Sequence, residues 1–107
     1  MYVYNLTFVV NPNIYVSWLN WFENVYIPKV NNIGKIMSVR IFKILNATPD
    51  FNFAVHHQTS LPQDLFDFIT NEVPDLQKLC TDTFGDSVLT FGTELKELNI
   101  NKNLSIQ

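Results

Sequence analysis

"KIMSVRIFKILNATPDFNFAVHHQTS", residues 35–60, holds two extended runs divided by a turn. In the first run Met37, Val39 and Ile41 alternate with Ser38, Arg40 and Phe42. In the second, Phe51, Phe53, Val55 and His57 alternate with Asn52, Ala54, His56 and Gln58. Alternation at a period of two marks strands with one face buried. Between them "NATPD", residues 46–50, gathers residue types that favour turns. The stretch therefore predicts an antiparallel hairpin over 35–45 and 51–59. A turn centred on Thr48 pairs Arg40 with His56, Ile41 with Val55 and Leu45 with Phe51. Both apolar faces then stay continuous, as register requires. A two-residue shift would also keep the faces, so alternation leaves both registers open.

The flanking segments decide what the hairpin belongs to. Residues 2–10 alternate in the same way, with Tyr2, Tyr4, Leu6, Phe8 and Val10 on one side. Residues 14–27 read as a helix behind an Asn13 N-cap. Polar Asn13, Ser17, Asn20 and Asn24 form its solvated stripe, and Ile14, Trp18, Phe22 and Val25 lie opposite, widened by Leu19, Tyr26 and Ile27. Pro28 weakens or ends it. After the hairpin, Ser60 and Gln63 have the spacing of a capping box, and an apolar face runs from Leu65 to Cys80 with a break expected at Pro74. Gly85 suits the residue after a helix end. A last strand is expected from about Ser87 to Leu98. The order β-α-β-β-α-β is the ferredoxin-like pattern. It predicts an α+β domain over residues 1–98, a four-stranded antiparallel sheet with both helices on one face, and a polar tail over 99–107.

The 107 residues are 47% hydrophobic and 14% aromatic, enough for one well-filled core. Net charge is −3 and the single arginine is Arg40. Such a balance argues against a nucleic-acid partner, which needs clustered cations. Cys80 stands alone, so neither a disulfide within the chain nor a cysteine-based zinc site is expected, and a buried apolar role suits it. No apolar run is long enough to span a membrane, and the first residues lack a basic leader, so a cytoplasmic protein without a membrane partner is the default. No phosphate-binding loop, dinucleotide fingerprint, nucleophile elbow or metal motif occurs. No metal or other cofactor is expected, although a neutral imidazole such as that of His56 could ligate haem iron. Trp18 and Trp21 suit core and rim better than a cofactor clamp.

Three stretches together carry a resemblance: "WLNWFENVYIPKV" (18–30), "GKIMSVRIFKIL" (34–45) and "FGDSVLTFGTEL" (84–95). Over roughly residues 1–98 the chain resembles a small bacterial family known only as a domain of unknown function, within the dimeric α/β-barrel superfamily. The resemblance implies two sheets paired face to face in a homodimer. It implies no single activity, because the superfamily includes cofactor-free monooxygenases, isomerases, haem enzymes and non-enzymes. One departure stands out. Members of the family often carry a histidine just before "IP", where this chain has Tyr26, so any chemistry that histidine performs would not transfer.

With that architecture, the sheet face opposite the helices lines an interface or a cavity. Alternation assigns to it Val3, Asn5, Thr7, Val9, Ser38, Arg40, Phe42, Asn52, Ala54, His56, Gln58, Val88, Thr90, Gly92 and Glu94. His57 goes to the opposite, core face. The candidate ligand-binding set is therefore Asn5, Thr7, Arg40, His56, Gln58, Thr90 and Glu94, with His56 and Arg40 as catalytic candidates. A permanent guanidinium beside His56 favours a neutral imidazole able to accept a proton. Arg40 could equally form an ion pair with Glu94 of a second copy. The residues leave the function unknown: the first reading is a small homodimer of unknown role, either non-catalytic or holding a small apolar ligand between its sheets. The alternative is a cofactor-independent monooxygenase or isomerase with His56 as base and Arg40 and Asn5 as anchors.

Overall fold

A computed structural model of the chain describes residues 1–45 and 49–100. Its four strands are β1 (Tyr2–Val10), β2 (Ser38–Lys43), β3 (Phe51–Thr59) and β4 (Val88–Lys96), in the order β2-β3-β1-β4 and antiparallel throughout. This is the expected ferredoxin-like sheet. The hairpin takes the register that sets Arg40 opposite His56 and Ile41 opposite Val55. The ladder stops at the Lys43–Phe53 pair, short of the expected pairing of Leu45 with Phe51, and Leu45 is 89% exposed. The turn itself, at Asn46, Ala47 and Thr48, lies outside the described residues.

The first crossover departs from a regular helix in an instructive way. A short 3-10 turn at Pro12–Ile14 leads into α1 (Tyr15–Trp21), a π turn (Phe22–Tyr26) and α2 (Ile27–Asn31). Asn11 is the cap rather than Asn13: its Oδ1 accepts from the Asn13 N–H at 2.9 Å. Pro28 has no N–H, and its ring crowds the carbonyl four residues back. The widened turn carries the chain past it, since the Ile27 N–H reaches the Phe22 carbonyl five residues back. The helix therefore continues to Asn31 instead of ending at Pro28. The extra residue also turns the face, so Tyr26 and Val30 point inward while Val25, expected inside, is exposed.

The second crossover is α3 (Pro62–Asn71) and α4 (Val73–Phe84), broken where expected, with Pro74 in the first turn of α4. The capping box does not form. Ser60 instead donates its hydroxyl to Met37 Sδ at 2.8 Å, and Gln63 donates to Asp67 Oδ1 at 2.9 Å. Gly85 follows α4 at φ 58°, a left-handed conformation that a side chain would strain.

Both crossovers cover one face of the sheet. Leu6, Phe8 and Val10 of β1 and Phe53, Val55 and His57 of β3 are buried beneath them. Trp18 is fully buried and stacks on Phe53 and Phe22, with ring centroids 4.9 and 5.1 Å away. Trp18 and Trp21 are thus core residues. Among the described residues no helix is long and apolar enough to cross a membrane.

Candidate functional site

The opposite sheet face is bare, and pairing fixes what it presents. On β1 and β3, Asn5 lies opposite His56 and Thr7 opposite Ala54. On β2 and β3, Arg40 lies opposite His56 and Ser38 opposite Gln58. His56 is therefore flanked by Asn5 on one side and Arg40 on the other. The sheet brings together Asn5, Thr7, Arg40, His56 and Gln58 as alternation predicts. The Phe42 ring joins them, 5.0 Å from the His56 ring, with the Arg40 guanidinium carbon 5.1 Å from the Phe42 centroid. Asn5 Nδ2 donates to Thr7 Oγ1 at 3.1 Å, and Ser38 Oγ donates to Gln58 Oε1. Asn5 Oδ1 is buried yet accepts no hydrogen bond among the described residues.

Two of the expected site residues do not belong to this face. On β4, Glu94 pairs with Tyr4 and Thr90 with Phe8, both of which point toward the helices. Thr90 Oγ1 accepts from Gln77 Nε2 of α4 at 3.1 Å, and the Glu94 charge helps raise the Tyr4 pKa, behind the larger effect of burial. Val88 and Gly92 share that orientation, Val88 within the core. The bare face instead receives Leu89, Phe91, Thr93 and Leu95, opposite Val9, Thr7, Asn5 and Val3. The usual rule, apolar side inward, inverts on β4. Leu89, Phe91 and Leu95 are 50, 59 and 39% exposed. The Tyr4 ring explains part of this, because it occupies the space where a Cβ at position 92 would project.

His57 belongs to the core and is fully buried. Its Nδ1 lies 2.9 Å from the Tyr4 carbonyl and its Nε2 2.8 Å from the Tyr26 hydroxyl. A carbonyl only accepts, so Nδ1 carries the proton, Nε2 is the acceptor, and Tyr26 donates to it. Burial lowers the His57 pKa from 6.5 to about 4, against the opposing pull of the Tyr4 carbonyl. Burial also raises the Tyr26 pKa, and pushes the Cys80 thiol up to about 12, which leaves that sulfur unreactive. Sequence reading missed the Tyr26–His57 bond. The two residues are 31 apart, and periodicity assigns each to a buried face without showing which partner it meets there.

A cleft of about 500 Å³ opens elsewhere, between the end of α2 and α3, lined by Lys29, Ile33, Lys35, Asp67, Phe68 and Glu72 among others. Lys35 and Asp67 form a 2.5 Å ion pair there and so occupy each other. The convergent polar groups on the sheet lie on the other side of the molecule, and they make that face the stronger candidate.

Residues 1–98 match the model of a domain of unknown function (DUF4286). The chain belongs to this family. No curated protein matches the sequence. Among solved structures the chain is similar to an ethyl tert-butyl ether D (EthD) family protein from Bacillus halodurans C-125, with TM-score 0.66 and 14% identity over 92% of this chain and 100% of that one. It is also similar to a dimeric ferredoxin-like protein from an uncultured marine organism, with TM-score 0.57 and 7% identity over 92 and 97% of the two chains. A third likeness is to a protein from Shewanella loihica PV-4 provisionally named a monooxygenase, with TM-score 0.54 and 10% identity over 92 and 96%. At these identities the likenesses establish the ferredoxin-like fold that this family member shares with them.

Proposed function

We propose that this DUF4286 member is a homodimer whose two bare sheet faces meet and enclose a chamber for a small apolar ligand. The observation that carries the reading is the layout of that face. Apolar side chains are exposed at its two edges, Phe42 on β2 and Leu89, Phe91 and Leu95 on β4, while the polar groups around His56 lie between. When two such faces stack, apolar edges meet apolar edges and exclude water. The polar centre is then enclosed rather than dispersed. The sheet measures roughly 30 by 20 Å from strand geometry, about 500–600 Å² per copy. Two copies bury on the order of 1,000 Å² together, which reaches the size of a specific interface. The solved likeness described as dimeric supports dimerisation.

A cofactor-independent monooxygenase or isomerase is the second reading. It is favoured by the His56 imidazole, set between Asn5 and Arg40 where a general base would face an enclosed substrate. The provisional name of the Shewanella loihica protein points the same way.

Sedimentation equilibrium at micromolar concentration tests the assembly, and a dimer is expected; a monomer sinks both readings. Native mass spectrometry of the purified dimer then reports any retained small molecule. His56→Trp fills the chamber, so it should expel that molecule while the dimer persists.

A further inference from the structure

The register of β4 has a chemical consequence for the ligand. With Glu94 turned to the helix side, no strand residue on the bare face is an Asp or Glu. Among the described residues the face keeps one permanent cation, Arg40, because Lys43 and Lys96 lean over Phe51 and Tyr2 on the helix side. This segregation occurs in a chain with ten acidic residues and a net charge of −3. Among the described residues Arg40 has no carboxylate partner; the ion pairs present involve Lys35, Lys78 and the N-terminus. Its guanidinium rests instead on the Phe42 ring, which leaves its N–H donors for a group outside the chain. Glu94 of a second copy is poorly placed to be that group, since it too would face its own helices.

We infer that the ligand is an amphipathic monoanion: an apolar, flat or chain-like body carrying one carboxylate or equivalent oxyanion, held by Arg40. The inference rests on the sheet-to-sheet chamber proposed above. A guanidinium pairs with a planar carboxylate through two parallel N–H···O bonds, and enclosure removes the water that would weaken them. The Phe42 ring and the apolar side chains of β4 suit the body of such a molecule. A single cation per copy suits one anionic group and falls far short of a polyanion such as nucleic acid.

The test uses matched probes, 2-naphthoate and its neutral isostere 2-naphthamide, titrated into the dimer by calorimetry at low salt. The wild type should bind naphthoate about tenfold or more tightly than the amide, as expected for a charge-assisted hydrogen bond. Arg40→Gln should reduce that preference to within about twofold, whereas Arg40→Lys should retain part of it. Equal binding of both probes by the wild type overturns the inference and leaves the apolar chamber standing. Binding of neither probe removes the chamber as well. A preference that survives Arg40→Gln places the anion elsewhere and also overturns the inference; the wild-type comparison does not depend on either variant folding.

Discussion

The neutral form of His57 is built into the fold, and this makes stability sensitive to acid. The imidazole is held between the Tyr4 carbonyl and the Tyr26 hydroxyl, and its burial disfavours the charged form. In the unfolded chain it titrates near 6.5; in the folded chain burial holds its pKa at about 4. Between those values the unfolded state binds more protons than the native one, so stability falls as pH falls. The penalty begins near pH 6.5, grows to about 3 kcal/mol by pH 4, and levels off below that. Urea unfolding midpoints measured from pH 7.5 to 4 should show this slope in the wild type and lose it in His57→Gln. An equal slope in both proteins would assign the acid sensitivity to other groups. Tyr26 occupies a position where the family resemblance leads one to expect histidine. In this chain its hydroxyl satisfies a buried acceptor, a structural role that needs no substrate.

Gly92 and Tyr4 together constrain how β4 lies on β1. A Cβ at position 92 would approach Tyr4 Oη to 1.8 Å and Cζ to 2.6 Å. Gly92→Ala must therefore displace a largely buried ring, and should cost about 1–3 kcal/mol. In a Tyr4→Val background the obstruction is absent, so the same substitution should cost little. A double-mutant cycle by denaturant titration measures the difference; additive costs would show that the ring yields freely. The pairing bears on what could be read beforehand. β1 and β3 each bury one face beneath helices, so Tyr4, Leu6 and Phe8, and Phe53, Val55 and His57, announce their orientation by hydrophobic alternation. The assignment of Asn5, Arg40, His56 and Gln58 to a common face follows from the same signal. On β4 the more apolar set, Leu89, Phe91 and Leu95, faces away from the core, and alternation misplaces Thr90 and Glu94. Period-two patterning reports which side chains avoid water, but not whether a helix layer or a second copy provides the cover. The π turn was hidden for a different reason. Pro28 signals an interrupted helix, and nothing local distinguishes ending at the proline from widening one turn before it.

At the scale of the whole molecule, the inverted strand offers a way to separate folding from assembly. Phe91 lies on the bare face opposite Thr7, with more than half of its surface exposed, and it does not belong to the helix–sheet core. Replacing it should remove little intramolecular packing, and surface changes of that kind shift stability by about 0.5 kcal/mol or less. In the proposed dimer the same ring lies at the edge of the paired sheets, where apolar contacts exclude water and an unpaired carboxylate opposes burial. Phe91→Asp should therefore yield a folded monomer by sedimentation, with a helix and strand signal in circular dichroism like that of the wild type. Its thermal midpoint should no longer depend on protein concentration, since coupling between folding and association has been removed. Ligand binding should disappear with the dimer, because Asn5, Arg40 and His56 would then face open water. A Phe91→Asp protein that stays dimeric would show that assembly uses another surface; one that unfolds as a monomer would show that β4 needs its partner to remain on the sheet.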